Sequence, residues 1–228
     1  MKQQRHHSWN LSTDEAVQVQ RELALLVEHS DRLSASIRYV AGVDVAYGLG
    51  EDRNVYGVLV VIDLETNETV ETATAVREMA SEYQPGLFAF RELPSLCEAA
   101  ENLQCTPDLV ICDGQGVAHP ERCGLASHFG LLFDVPTIGC GKTRLLGEFD
   151  PVGTARGSYS ELIDGGDVIG SVLRTQDGIN PLFVSTGHRV SLPTARDWML
   201  RLADTYRQPE PIRRANQLAN ELRAGGAS

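Results

Sequence analysis

The sequence has 228 residues, 42% of them hydrophobic and 22% charged, and 31 acidic against 20 basic side chains give a formal charge of −11. That length fits one domain, and the composition excludes general disorder. No apolar run approaches the length of a membrane-spanning helix, and so acidic a chain is not a generic nucleic-acid binder, although an enzyme with a local basic groove and a metal-holding carboxylate cluster stays open.

From the N-terminus, Met1 to Trp9 carries charges with no apolar core behind them, so no secretory signal is expected. Ser12 as N-cap and Glu15 three residues on form a capping box. Val19, Leu23, Leu26 and Val27 then mark one face of an amphipathic helix running to about His29. Three strand-like runs follow: Tyr39–Ala46, Val55–Asp63 and Thr69–Val76. The short polar link between the last two predicts an antiparallel hairpin. Beyond them the pattern changes to helix near Leu93–Asn102, strand Leu109–Cys112 ending at Asp113, helix near Gly124–Phe133, and strand Thr137–Cys140. Strands joined by helices of this length predict parallel crossovers. Val168–Arg174 and Pro181–Ser185 read as a further strand pair, and helices near Thr194–Thr205 and Pro211–Ala224 close the chain. The expected fold is α/β, a mixed sheet covered by helices in one domain over residues 1–228, with Gly225 to Ser228 a loose tail. Five cysteines at 97, 105, 112, 123 and 140 form no C-x-x-C pair, and they read as reduced thiols of a cytoplasmic protein.

Three acids stand out. Asp44 interrupts the apolar run Val43-Asp44-Val45. Period-2 alternation puts it on a face shared with Gly42 and Ala46, two small residues that leave room around the carboxylate. The plainer alternative is an acid on a solvated strand face. Asp113 ends a buried strand before Gly114-Gln115-Gly116, at the sheet edge where ligands bind in folds with crossover helices; it could equally just open a turn. Two acids at positions where carboxylates are costly to bury predict a shared cation. Glu92 follows the apolar, proline-bounded stretch Tyr83 to Arg91, and otherwise reads as an acid in the first turn of the next helix. Carboxylates from separate segments are hard oxygen donors that suit Mg²⁺, or Mn²⁺ as a substitute, and such clusters most often serve phosphoryl chemistry. Gly141-Lys142-Thr143 resembles the end of a P-loop, but position 136 is Pro136 where the first glycine is required, so a mononucleotide loop is rejected. Lys142 can still reach a phosphate as a point charge.

Seven segments together resemble the endonuclease V family. They are Ala41-Gly42-Val43-Asp44, Tyr83-x-Pro-Gly-x-x-Ala-Phe-Arg-Glu92, Asp113-Gly-Gln-Gly-Val-Ala-His119-Pro, Ala126-Ser-His-Phe-Gly, Pro136-Thr-Ile-Gly-x-x-Lys142, Thr186-Gly-His-Arg-Val-Ser191 and Pro209-Glu-Pro-x-Arg213. The resemblance implies an RNase H-like fold. It also implies cleavage of the second phosphodiester bond 3′ to a deaminated base, leaving 3′-hydroxyl and 5′-phosphate ends. By position, Asp44 and Asp113 are similar to the Mg²⁺ ligands, with Glu92 completing the acidic site and Lys142 the lysine near the scissile phosphate. Tyr83 resembles the wedge that fills the gap left by an extruded base, and His119 the histidine beside the lesion pocket. Departures are Glu82 and Gln84 around the wedge, Gly139-Cys140-Gly141 before Lys142, and Asn216 where relatives often carry histidine or aspartate. The partner implied is DNA containing deaminated bases, with inosine in RNA as a further candidate substrate of the kind some relatives take; no membrane is expected, and the lack of a sustained heptad or second apolar helix face predicts a monomer. Two other readings remain at this stage: an RNase H-like nuclease selective for structure rather than base, and a binding module that does not cut.

Overall fold

The computed structural model describes residues 1–79 and 86–225. Thirteen elements follow in order: α1 (Thr13–Ala24), β1 (Tyr39–Tyr47), β2 (Asn54–Asp63), β3 (Glu68–Glu78), α2 (Phe88–Asn102), β4 (Leu109–Asp113), α3 (Leu125–Phe133), β5 (Thr137–Gly141), β6 (Tyr159–Asp164), β7 (Asp167–Leu173), β8 (Leu182–His188), α4 (Leu192–Leu202) and α5 (Glu210–Gly225). The strands form one sheet in the order β3-β2-β1-β4-β5-β8-β7-β6. β1, β4 and β5 are parallel neighbours, and the remaining pairs are antiparallel. This is the expected RNase H-like mixed sheet, hairpin first and crossovers after.

Alternation along the strands explains the two cores. Ala41 and Val43 of β1, with Val110 and Cys112 of β4, face α2 and α3. Val40, Leu109 and Ile111 face the other way, with Met199 of α4 and Ile212 of α5. Gly42 lies on this second face, and a Cβ there would come within 2.1 Å of the Pro211 carbonyl. The small residues beside Asp44 therefore do more than leave room for its carboxylate. They admit the start of α5, which the sequence reading did not anticipate.

Three element boundaries and one unread strand depart most from expectation. The capping box at Ser12 and Glu15 is present, but α1 stops at Ala24. Val19, Leu23 and Val27 still pack on Cys123 and Leu131, whereas Leu26, past the helix end, is exposed. α2 starts at Phe88, five residues before the expected Leu93, because Ala89 and Phe90 are buried; it carries Pro94 inside. β6 went unread because a sheet-edge strand buries few side chains, here only Leu162. Its signal was Gly165-Gly166, both at positive φ, a tight link into β7. Gly225 belongs to α5 rather than to a tail, and residues 226–228 lie outside the described range.

Candidate active site

β1 and β4 run side by side with Val43 opposite Cys112. One step further along, Asp44 and Asp113 project from the opposite face of each strand, so two carboxylates meet by register alone. Asp44 is 7% exposed. The Asp113 carboxyl lies close enough to that of Asp44 for its charge to act on it, and it is ion-paired with the Lys142 ammonium just past β5. Asp44 Oδ1 accepts the Val45 N–H at 2.8 Å, and Oδ2 accepts the Asn216 amide of α5 at 2.8 Å.

Burial, followed by the charge of Asp113, pushes Asp44 up to about 7, against the opposing pull of Asn216, Lys142 and the Val45 N–H. Asp113 is also raised, burial outweighing Lys142. Glu92 is pushed up to about 7 by burial and by both aspartates, although the Tyr47 hydroxyl donates to it at 2.7 Å and pulls the other way. Tyr47, half-buried beside that carboxylate, is held protonated. Burial lowers Lys142, but Asp113 and Asp44 more than compensate and keep it an ammonium.

Glu92, Asp113 and Lys142 line a cleft of about 300 Å³ with His119, Leu125 and Leu145. His119 Nδ1 accepts the Glu121 N–H at 3.2 Å, so Nε2 carries the proton and donates to the Gly86 carbonyl at 2.9 Å. Burial lowers its pKa and keeps it neutral. Gln20 of α1 donates to the same Gly86 carbonyl and to that of Cys123, each at 3.1 Å. The chain is thus pinned where it emerges from residues 80–85.

The donor set suits a hard cation. Glu92 and Asp113 line the cleft and the Asp44 carboxyl lies beside Asp113, three oxygen donors whose raised pKa values a divalent ion would bring back down. Among the described residues, no group of three or more His, Cys, Asp or Glu side chains is placed to hold one ion. Two carboxylates are nevertheless a usual protein share for Mg²⁺, which keeps several waters.

The family model of endonuclease V matches residues 21–217. The chain belongs to the endonuclease V family. It is 43% identical to the endonuclease V of Nostoc punctiforme, over 96% of this chain and 99% of that one. The crystal structure of endonuclease V from Streptomyces avermitilis superposes with a TM-score of 0.90 at 42% identity, covering 97% of both chains. A Ciona intestinalis endonuclease V, 26% identical with a TM-score of 0.80 over 94% of this chain and 99% of that one, is in complex with DNA containing an inosine followed by a ribo-adenosine. As a member of this family, the chain is an endonuclease acting on phosphodiester bonds.

Of the residues singled out in the sequence, Glu92, Asp113, His119 and Lys142 line the cleft, and Asp44 lies beneath it against Asp113. Tyr83, with Glu82 and Gln84, lies outside the described residues. Tyr47 and Gln20 were missed. Both had a signal: Tyr47 is a hydroxyl-bearing ring at the end of the strand that carries Asp44, and Gln20 interrupts the apolar stripe between Ala16 and Leu23. No helix of the described residues is long and apolar enough to cross a membrane.

Proposed function

We propose that this endonuclease V is an Mg²⁺-dependent DNA repair enzyme. It cuts the second phosphodiester bond 3′ to deoxyinosine and other deaminated bases, leaving 3′-hydroxyl and 5′-phosphate ends. The observation that carries this reading is the buried pair Asp44 and Asp113 on adjacent parallel strands, with Lys142 at their edge. Asp44 and Asp113 would hold Mg²⁺, or Mn²⁺ in its place, and the bound cation would supply an activated water and charge for the departing oxygen. The side chains do the rest. Asn216 fixes the orientation of Asp44 through its amide. Tyr47 keeps Glu92 aimed at the cleft. Lys142, partly exposed, offers its ammonium to the scissile phosphate. Neutral His119, its two ring nitrogens held by Gly86 and Glu121, lines the cleft and would offer its ring as an apolar surface to a flipped base. Tyr83 acts as the wedge that fills the vacated stack.

One chain supplies every group named, so a monomer suffices. Five free cysteines, four of them buried, fit the reducing cytoplasm. The decisive experiment compares cleavage of paired oligonucleotides with and without a single deoxyinosine, in Mg²⁺ and in chelator, with the product ends mapped. A ribo-adenosine placed after the inosine, as in the Ciona complex, tests tolerance of RNA at the cut. Cleavage only of the inosine strand, only with metal, and one nucleotide beyond the lesion is expected. Equal cutting of both duplexes, or full activity in chelator, would refute the reading.

A further inference from the structure

A second groove, of about 620 Å³, opens across Lys142 from the acidic cleft, and the two share Lys142, Thr143 and Arg144. Lys142, Arg144, Arg174 and Arg207 line it, and no acidic residue does. In a chain of 31 acids and 20 bases this is the reverse of the average surface. Its arginines are oriented but not neutralised. Arg174 donates to the Val152, Gly153 and Ile179 carbonyls, Arg207 to those of Lys142, Asn180 and Pro181, and Arg144 to that of Gly147. Among the described residues none of the three is ion-paired to a carboxylate. Carbonyls satisfy the N–H groups without cancelling the charge, so the guanidiniums stand pre-positioned for an anion.

The groove also has an aromatic wall. Phe149 is 37% exposed, and its ring meets Phe183 edge-on at 5.7 Å between centroids. An exposed ring beside arginines that lack carboxylate partners is the combination that binds single-stranded nucleic acid, charge tracking the backbone while a base stacks on the ring.

We propose that this groove is the subsite for the strand on the 3′ side of the cut. The 5′-phosphate created by cleavage lies among Arg174, Arg207 and Lys142, and its first base stacks on Phe149. The inference rests on the proposed cleavage position, in which the lesion occupies the acidic cleft on one side of Lys142. The strand beyond the scissile phosphate must then leave on the other.

Binding of two undamaged single-stranded decamers, identical except for a 5′-phosphate or a 5′-hydroxyl, tests it by fluorescence anisotropy. Wild-type protein should prefer the 5′-phosphate strand by about tenfold. Phe149→Ala should weaken both strands by roughly tenfold while keeping the phosphate preference, as the loss of one stacked base requires. Arg207→Gln should abolish the preference and lower the slope of log affinity against log salt by about 0.7. A short strand ending one nucleotide beyond inosine, the other product, should lose no affinity in either variant. Arg207 bridges three carbonyls, so if Arg207→Gln unfolds, the already exposed Phe149 decides the matter alone. No phosphate preference in the wild type, or equal losses on both product strands, would overturn the subsite. Inosine cleavage by the same wild-type protein is scored separately. Cleavage without groove binding refutes the subsite and leaves the proposed function standing, whereas absent cleavage refutes the function itself.

Discussion

Replacing Asp44 by asparagine should abolish cleavage and yet stabilise the metal-free protein. Asp44 is pushed from 3.8 to about 7, chiefly by burial and secondly by Asp113. At 1.36 kcal/mol per unit, keeping it ionised at pH 8 costs about 4 kcal/mol. Asparagine is expected to recover about half of this. Its NH₂ faces the Asn216 amide, which must turn to offer its oxygen, and that oxygen now accepts weakly from Asn220 at 3.3 Å. A gain of about 2 kcal/mol corresponds to a rise in Tm of roughly 4–8 °C for a chain of this length. The sign depends on pH. A carboxyl whose folded pKa lies above its unfolded value costs nothing below the unfolded value, and the cost grows as pH rises through the interval up to the folded one. The gain should therefore be full above pH 7 and vanish near pH 4. Thermal unfolding of both proteins in chelator at pH 4, 6 and 8, with cleavage measured in Mg²⁺, checks each part. A variant that is less stable at pH 8, or a difference that does not change with pH, would refute the electrostatic account. Near-normal cleavage by the folded variant would remove Asp44 from the catalytic set.

Asn216→Asp places a second negative charge against Asp44, so it should lower the metal-free Tm and tighten half-saturation by Mg²⁺; an unchanged metal titration would show that position 216 does not influence the ion. Tyr47→Phe removes the donor that holds Glu92 down, and the rising limb of the pH–rate profile should move up by about one unit, whereas an unmoved limb would mean that Glu92 need not ionise. Tyr83→Ala should weaken binding to inosine-containing duplex by about tenfold to a hundredfold and affect single-stranded inosine substrate less; equal losses on both, with a lowered Tm, would place the ring in the core instead.

Most of the sheet was determined locally. The apolar runs that became β1 to β5, β7 and β8, the hairpin between β2 and β3, and the parallel crossovers follow from apolar patterning and link length, which are properties of neighbouring residues. Asp44 and Asp113 were legible for the same reason, as carboxylates at strand positions that burial makes costly. Where burial was slight the sequence fell silent, as in the edge strand β6; the apolar stripe ran on past the end of α1, and the burial of Ala89 and Phe90 brought the start of α2 forward. Only the tertiary structure decided the surroundings of the acids. Asn216 reaches Asp44 across 172 residues, and Tyr47 meets Glu92 across 45. Gln20 and His119 converge on one carbonyl from separate segments, and the arginines beside Phe149 gather from three loops. Periodicity states which face of an element is buried, not which helix will cross it or at what height. Those choices are made by the packing of the whole chain, here by the close approach of α5 that Gly42 permits.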